Sequence, residues 1–227
     1  REICIEYANA HPDRIRLFLR DRILSHYTDS QGRTTRFNGH FTRAEARGKY
    51  IAICEGDDYW INKKKLSMQV NFLNNNQMAI GCCTNFFIYN QNYKFMSALK
   101  NLNKIQVIKF RDILISNTIG TLTVMYRNVL SDKLLPEQLL YLWYGDRSIW
   151  SLLLLIGDFF KIPEYTAVYR EHSNGASKTV KIERIEMDEL KYLDYFLNVS
   201  ERKLNIAKKI SLAITYANLS RKCLNKY

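Results

Sequence analysis

The spacing of apolar positions changes several times along the chain, and each change marks an element. Ile3, Tyr7 and Ala10 share one face of a helical segment that stops at His11-Pro12, because the residue before proline avoids the helical region. Ile15 to Leu19 is a short apolar run that reads as a strand, and Arg20 to Asn38 is polar and irregular, with a turn at Ser30-Gln31-Gly32. A helix is predicted over Phe41 to Arg47, stopping at Gly48, followed by a compact buried strand from Tyr50 to Cys54. Leu66, Val70 and Leu73 give Lys64 to Asn74 a helical period. Ala79 to Tyr89 reads as a strand, Phe110 to Ser116 as a short helix, and the β-branched run Thr121 to Tyr126 as another strand. Pro136 to Tyr144 and Ser148 to Ile156 are predicted helices, and Phe159 to Ile162 and Ala167 to Arg170 predicted strands. From Ile182 to Lys226 the pattern is helical, with a break near Asn198 to Ser200.

Strands alternate with helices through the first part of the chain, which predicts an α/β layer architecture with a largely parallel sheet. In such sheets ligands sit beyond the carboxyl ends of the strands. The chain has 227 residues, 47% of them apolar, enough for one cored domain with or without an appendage. No uncharged apolar run approaches the roughly 18 residues of a membrane span; the longest is Ile149 to Gly157. Cys4, Cys54, Cys82, Cys83 and Cys223 lack zinc-ligand spacing and read as reduced cytosolic thiols in or near the core, with Cys82 and Cys83 on opposite faces of one strand. The net charge of +12 admits nucleic acid, an anionic membrane or a phosphorylated small molecule as partner. Nucleic acid is set aside, because the basic residues do not interleave with an aromatic platform and no recognition motif is present.

The chemistry concentrates in Glu55-Gly56-Asp57-Asp58, directly after the apolar strand Tyr50 to Cys54. Three carboxylates in four residues repel one another unless a cation or water separates them. Their oxygens suit a hard cation, Mg²⁺ or Mn²⁺, with a substrate phosphate completing its shell. Tyr59-Trp60 adds two rings on which a base or sugar could rest. The plainer reading is a solvated acidic turn.

The segment Gly48-Lys49-Tyr50-Ile51-Ala52-Ile53-Cys54-Glu55-Gly56-Asp57-Asp58-Tyr59-Trp60, continued by Lys65-Leu66, Gln69 and Phe72-Leu73, resembles the stretch of family 2 glycosyltransferases that carries the DXD motif. The resemblance implies that Asp57 and Glu55 hold a metal bridging the donor diphosphate, with Glu55 standing where the family has Asp and Asp58 as the extra acid. Further on, Trp143-Tyr144-Gly145-Asp146 resembles the family's Gly-Asp pair, which makes Asp146 the implied acceptor base; a helix N-cap is its plainer role. Asn117 to Thr121 and Arg127-Asn128 are similar to the acceptor-side region. Tyr169-Arg170-Glu171-His172, with Gly175 and Lys178 following, resembles the closing segment, in which His172 joins the metal and Arg170 and Lys178 neutralise phosphate. Asn38, Asp58 and Trp60 complete the implied donor-binding set. His11, His26 and His40 are assigned to surface or loop.

The likeness covers roughly residues 1–178. It implies a GT-A fold, a Rossmann-like mixed sheet flanked by helices, over 1–180, followed by a basic helical extension over 181–227. The implied function is inverting transfer of a sugar from a UDP-, GDP- or dTDP-sugar to a glycan or lipid-linked acceptor in surface polysaccharide synthesis. The family's first strand, helix and second strand, with their base-binding loop, have no counterpart after Arg1. The expectation is therefore exposed sheet edges, and the competing reading is a truncated remnant that binds metal or a partner without turnover. In the extension, Ile206, Ile210, Ala213, Ile214 and Ala217 recur at helical spacing amid lysines. They read either as a helix packed on the catalytic domain or as peripheral attachment to an anionic inner membrane face, and a cytoplasmic location is expected.

Overall fold

The computed structural model of the protein describes residues 1–20, 37–98, 103–129, 135–143, 145–173, 175 and 180–199. In chain order its elements are α1 (Glu2–Ala10), α2 (Phe37–Ala44), β1 (Tyr50–Ala52), β2 (Tyr59–Trp60), α3 (Lys65–Asn75), β3 (Ala79–Asn90), β4 (Phe95–Ala98), β5 (Gln106–Ile108) and α4 (Phe110–Ile115). A 3-10 turn (Thr121–Thr123) follows, then β6 (Met125–Arg127), α5 (Glu137–Leu140), α6 (Gly145–Ile156), β7 (Asp158–Glu171) and α7 (Ile182–Val199).

The strands form one mixed sheet in the order β1-β6-β3-β7-β2, with β4 added to β3 and β5 to β7. The only parallel pair among the described residues is β3–β7, so the expectation of a largely parallel sheet is corrected. The alternation of helix and strand was misleading because β1 takes its partner, β6, from much later in the chain and pairs with it antiparallel.

β3 is buried continuously from Ala79 to Asn85, as a strand covered on both faces should be. Cys82 joins Leu73, Ala79, Met125 and Ile162 under α3, while Cys83 joins Ile51, Ile80, Tyr126, Trp150, Leu153 and Phe159 under α6, so the two thiols do point to opposite faces. Cys4 and Cys54 are exposed, which corrects their assignment to the core. α6 is apolar on two sides: Trp150 and Leu153 face the sheet, and Leu152 packs against a second cluster formed by Leu114, Leu139 and Leu142 with Tyr192, Leu193, Phe196 and Leu197 of α7.

Other boundaries move for identifiable reasons. The two strands expected from Phe159 to Arg170 are one, β7. Its register steps from Cys83↔Lys161 to Asn85↔Tyr165, so that Thr84 faces a bulge holding Pro163, which has no N–H to give to a ladder. The strand expected at Thr121 begins instead as a 3-10 turn. The indole of Trp60 takes the Leu122 carbonyl (2.8 Å) and the amide of Gln69 takes the Thr123 carbonyl (2.9 Å), so side chains use the groups that a neighbouring strand would need. Ile15 to Leu19 pairs with no strand among the described residues and forms no regular element. The helix expected over Pro136 to Tyr144 contracts to α5. α1 forms as expected, yet none of its residues is buried, and Ile3 and Tyr7 are 70% and 57% exposed. No helix among the described residues is long and apolar enough to cross a membrane.

Candidate functional site

The acidic loop is set by the strands on either side of it. After β1 the chain turns at Glu55–Asp58, closed by the Asp58 N–H donating to the Glu55 carbonyl (3.1 Å), and enters β2. β2 pairs with the carboxyl-terminal half of β7, Tyr59 opposite Val168 and Trp60 opposite Ala167. The loop is thereby laid against the residues that end β7. The backbone N–H of Arg170 donates to Asp58 Oδ1 at 2.9 Å, and the Arg170 guanidinium donates to the Asp57 carbonyl. Just past the strand, His172 Nε2 lies 3.3 Å from Asp57 Oδ2. The motif and the closing segment, remote in sequence, thus meet at the carboxyl end of β7.

Asp58 Oδ2 is buried and has no hydrogen-bond partner among the described residues. Burial pushes the Asp58 carboxyl above its ordinary range; the Arg170 N–H opposes the rise and Asp57 adds to it. A buried carboxylate oxygen left unpaired is costly unless a positive group comes to it. Asp57 and His172 are partly exposed, and Glu55 is exposed. Among the described residues no three His, Cys, Asp or Glu side chains converge as a ready metal cage. Mg²⁺ seldom uses one: it is commonly held by one or two carboxylates with waters and substrate phosphates. His172 and Asp57 are one imidazole and one carboxylate of that kind, 3.3 Å apart, with the orphan oxygen of Asp58 on the next residue.

Trp60 is anchored as well as placed. Its indole N–H is committed to Leu122, and the ammonium of Lys65 stands 4.4 Å from its ring centroid. Lys65 is only 1% exposed, donates to Gln69 Oε1 at 2.8 Å, and is lowered by burial to about 8. Sequence reasoning placed Lys65 and Gln69 within the resemblance but assigned them no task. A buried lysine under a tryptophan is invisible to helical periodicity, which assigns lysine to solvent.

Asp146 stands in the first turn of α6, one residue inside its start, so it is not the cap residue itself. Its Oδ2 accepts from Asn117 Nδ2 and from Thr121 Oγ1, both at 3.1 Å, and its Oδ1 accepts from the Arg147 backbone N–H at 2.7 Å. The 3-10 turn therefore links the two constellations: Thr121 holds Asp146, and the next residue, Leu122, is held by Trp60 of the acidic loop. Arg147, buried beneath, donates to the Ile113 and Leu114 carbonyls (2.9 and 2.8 Å) and pairs with Glu189 (2.6 Å), fixing α6 to α4 and α7. Of the remaining expected site residues, Asn38 falls in α2 with its side chain outside the described part, and Lys178 lies outside the described residues. So does the basic segment 200–227 proposed for membrane contact.

No family model matches the chain. It is similar to an uncharacterized protein of Mycobacterium tuberculosis and to one of Mycobacterium bovis, each 28% identical over 171 residues, which is 75% of this chain and 46% of theirs. The chain thus spans about half the length of the curated relatives it matches, and their names assign no activity.

Proposed function

We propose that this chain carries the catalytic site of a metal-dependent, inverting glycosyltransferase that moves a sugar from a nucleoside-diphosphate sugar to an acceptor hydroxyl. The observation that carries the reading is the meeting of His172 with Asp57, beside the unpartnered buried oxygen of Asp58, at the carboxyl end of β7. Asp58 Oδ1 already serves the Arg170 N–H, but that bond accounts neither for its second oxygen nor for the approach of His172 to Asp57. The GT-A fold is the finer form of the observed mixed α/β sheet that this reading favours.

Asp57 and His172, with Asp58 behind them, would hold Mg²⁺ or Mn²⁺, which supplies Lewis-acid charge against the departing diphosphate. Asp146 accepts the proton of the acceptor hydroxyl as its oxygen attacks the anomeric carbon, a role worth about 10² to 10⁴ in rate. The bond from that carbon to the diphosphate oxygen breaks in the same displacement, with inversion, and no covalent enzyme intermediate forms. Arg170 keeps the acidic loop closed on β7. The donor nucleotide is UDP, GDP or dTDP, and the acceptor a glycan or lipid-linked glycan.

The test is thermal stability with UDP, GDP, dTDP and CMP, each with and without Mn²⁺. A nucleotide at 100 times its dissociation constant adds about 2.7 kcal/mol. A Mn²⁺-dependent rise with one nucleotide, absent in Asp57→Ala, supports the reading. No rise with any of them overturns donor binding by this chain. A rise without turnover in Asp146-intact protein favours the remnant reading instead.

A further inference from the structure

We propose that Asn117 and Thr121 are positioning residues for Asp146, fixing its carboxylate so that Oδ1 is the oxygen that takes the acceptor proton. The inference rests on the glycosyltransferase reading and adds to it two residues and a specific atom.

The argument is a count of lone pairs. A carboxylate oxygen has about two acceptor sites. On Asp146 Oδ2 both are used, by the Asn117 amide and the Thr121 hydroxyl. Oδ1 accepts only the Arg147 N–H among the described residues, which leaves one lone pair for a substrate proton. Two donors on a single oxygen also hold the plane of the carboxylate, because a quarter-turn about its terminal bond would break both.

The supports of the two donors are themselves fixed. Asn117 has its amide oriented by the Ile119 N–H, which donates to Asn117 Oδ1 (3.4 Å) and so turns the NH₂ group toward Asp146. Thr121 opens the 3-10 turn, which is closed by Thr123 N–H to the Gly120 carbonyl (2.9 Å) and clamped from outside by Trp60 and Gln69. Gly120 is pressed against the ring of Phe86, where a Cβ would lie 2.7 Å from a ring carbon. A turn serving only to close a loop needs neither clamp. Here the clamps hold a hydroxyl on a half-buried carboxylate, and misplacement of a base by about 1 Å can cost on the order of 10²-fold in rate.

The experiment compares the full chain with Asn117→Ala, Thr121→Val, the double variant and Thr121→Ser. Release of UDP, GDP or dTDP is followed from UDP-glucose, GDP-mannose or dTDP-rhamnose, with n-octyl β-glucoside supplying the acceptor hydroxyl. The double variant is expected to lose about tenfold to a hundredfold in kcat, within the worth of the base itself. KM for the donor should stay within about twofold, since a misoriented base weakens the transition state and not ground-state binding. Thr121→Ser, which keeps the hydroxyl, should recover most of the kcat lost in Thr121→Val. Unchanged kcat in the double variant overturns the positioning role and leaves the glycosyltransferase reading standing. A kcat loss that follows the fall in melting temperature across the variants, with no recovery in Thr121→Ser, also overturns it, as a merely structural role. Wild-type protein that releases no diphosphate from any donor overturns both.

Discussion

The indole N–H of Trp60 donates to the carbonyl of Leu122 across 2.8 Å, tying the strand after the acidic loop to the turn that bears Thr121. The bond crosses from one constellation to the other, and the ammonium of Lys65 lies against the same indole. Trp60→Phe keeps the ring but leaves Leu122 without this donor. The expected loss is about 1–3 kcal/mol, the cost of a backbone carbonyl deprived of its partner, read as a lower urea midpoint at unchanged slope.

Asp58 gives a prediction with two signs. Its carboxyl is raised from 3.8 by burial, so the folded chain binds this proton more tightly than the unfolded one. Stability from this group is full below about pH 4 and lost as pH rises through the folded value. Asp58→Asn keeps an oxygen for the Arg170 N–H and removes the buried charge. The variant should match wild type below about pH 4 and be the more stable of the two in metal-free protein at neutral pH, while losing any stabilisation by Mn²⁺. Melting curves in EDTA and in Mn²⁺ across this range check both halves.

Alkaline stability should fall through buried acids: the thiols under the sheet, joined at higher pH by the phenols of Tyr126 and Tyr192, which burial also pushes from 10.0 to about 12. Burial pushes Cys82 and Cys83 from 9.0 to about 12. Between these values the unfolded chain ionises and the folded one does not, so stability is intact below 9 and falls as pH rises toward 12. Lys65, lowered from 10.5 to about 8, acts in the opposite sense over 8 to 10.5 and offsets part of the fall. Denaturation at pH 8 and at pH 10 should show wild type losing stability. Cys82→Ala with Cys83→Ala should start lower, from the cavities left, and lose less between the two pH values.

Arg147 is the strongest structural dependency near the site. Its guanidinium serves two carbonyls at the end of α4 and the carboxylate of Glu189, over the ring of Tyr192 at 4.2 Å. Arg147→Met removes the guanidinium that serves those carbonyls and Glu189 and should cost about 3–5 kcal/mol by urea unfolding. Arg147→Lys should rescue little, because a point charge cannot serve three acceptors arranged for a fork.

The acidic loop, β3 and the two-faced α6 were legible in the sequence because each rests on a local signal: a buried strand before a polar turn, a continuous apolar run, a helical period. So was the pairing of the motif with His172, although only through resemblance, since no spacing rule joins residues so far apart. What was not legible depends on partners that local pattern cannot name. The strand at Thr121 gave way because Trp60 and Gln69 reach its carbonyls from elsewhere in the fold. The two strands expected at Phe159 to Ile162 and Ala167 to Arg170 are joined because the bulge opposite Thr84 carries Pro163 through. Arg147 and Lys65 drew no assignment of their own, and burial by neighbouring elements makes both internal. Asn117 was noted only in passing, for its bond to Asp146 is a contact between loop and helix start.

The parallel pairing of β3 with β7 has a consequence during synthesis. Ala79 is matched with Asp158 and Asn90 with Glu171, so β3 cannot complete its ladder until roughly 80 further residues have been made. At about 5–20 residues per second, that interval is about 4–16 s on the ribosome. For that time a strand destined to be buried on both faces has, at most, β4 and β6 beside it. Its exposed ladder is a sticky edge in the nascent chain, and chaperone dependence should end only when Glu171, and with it the segment bearing His172, has emerged.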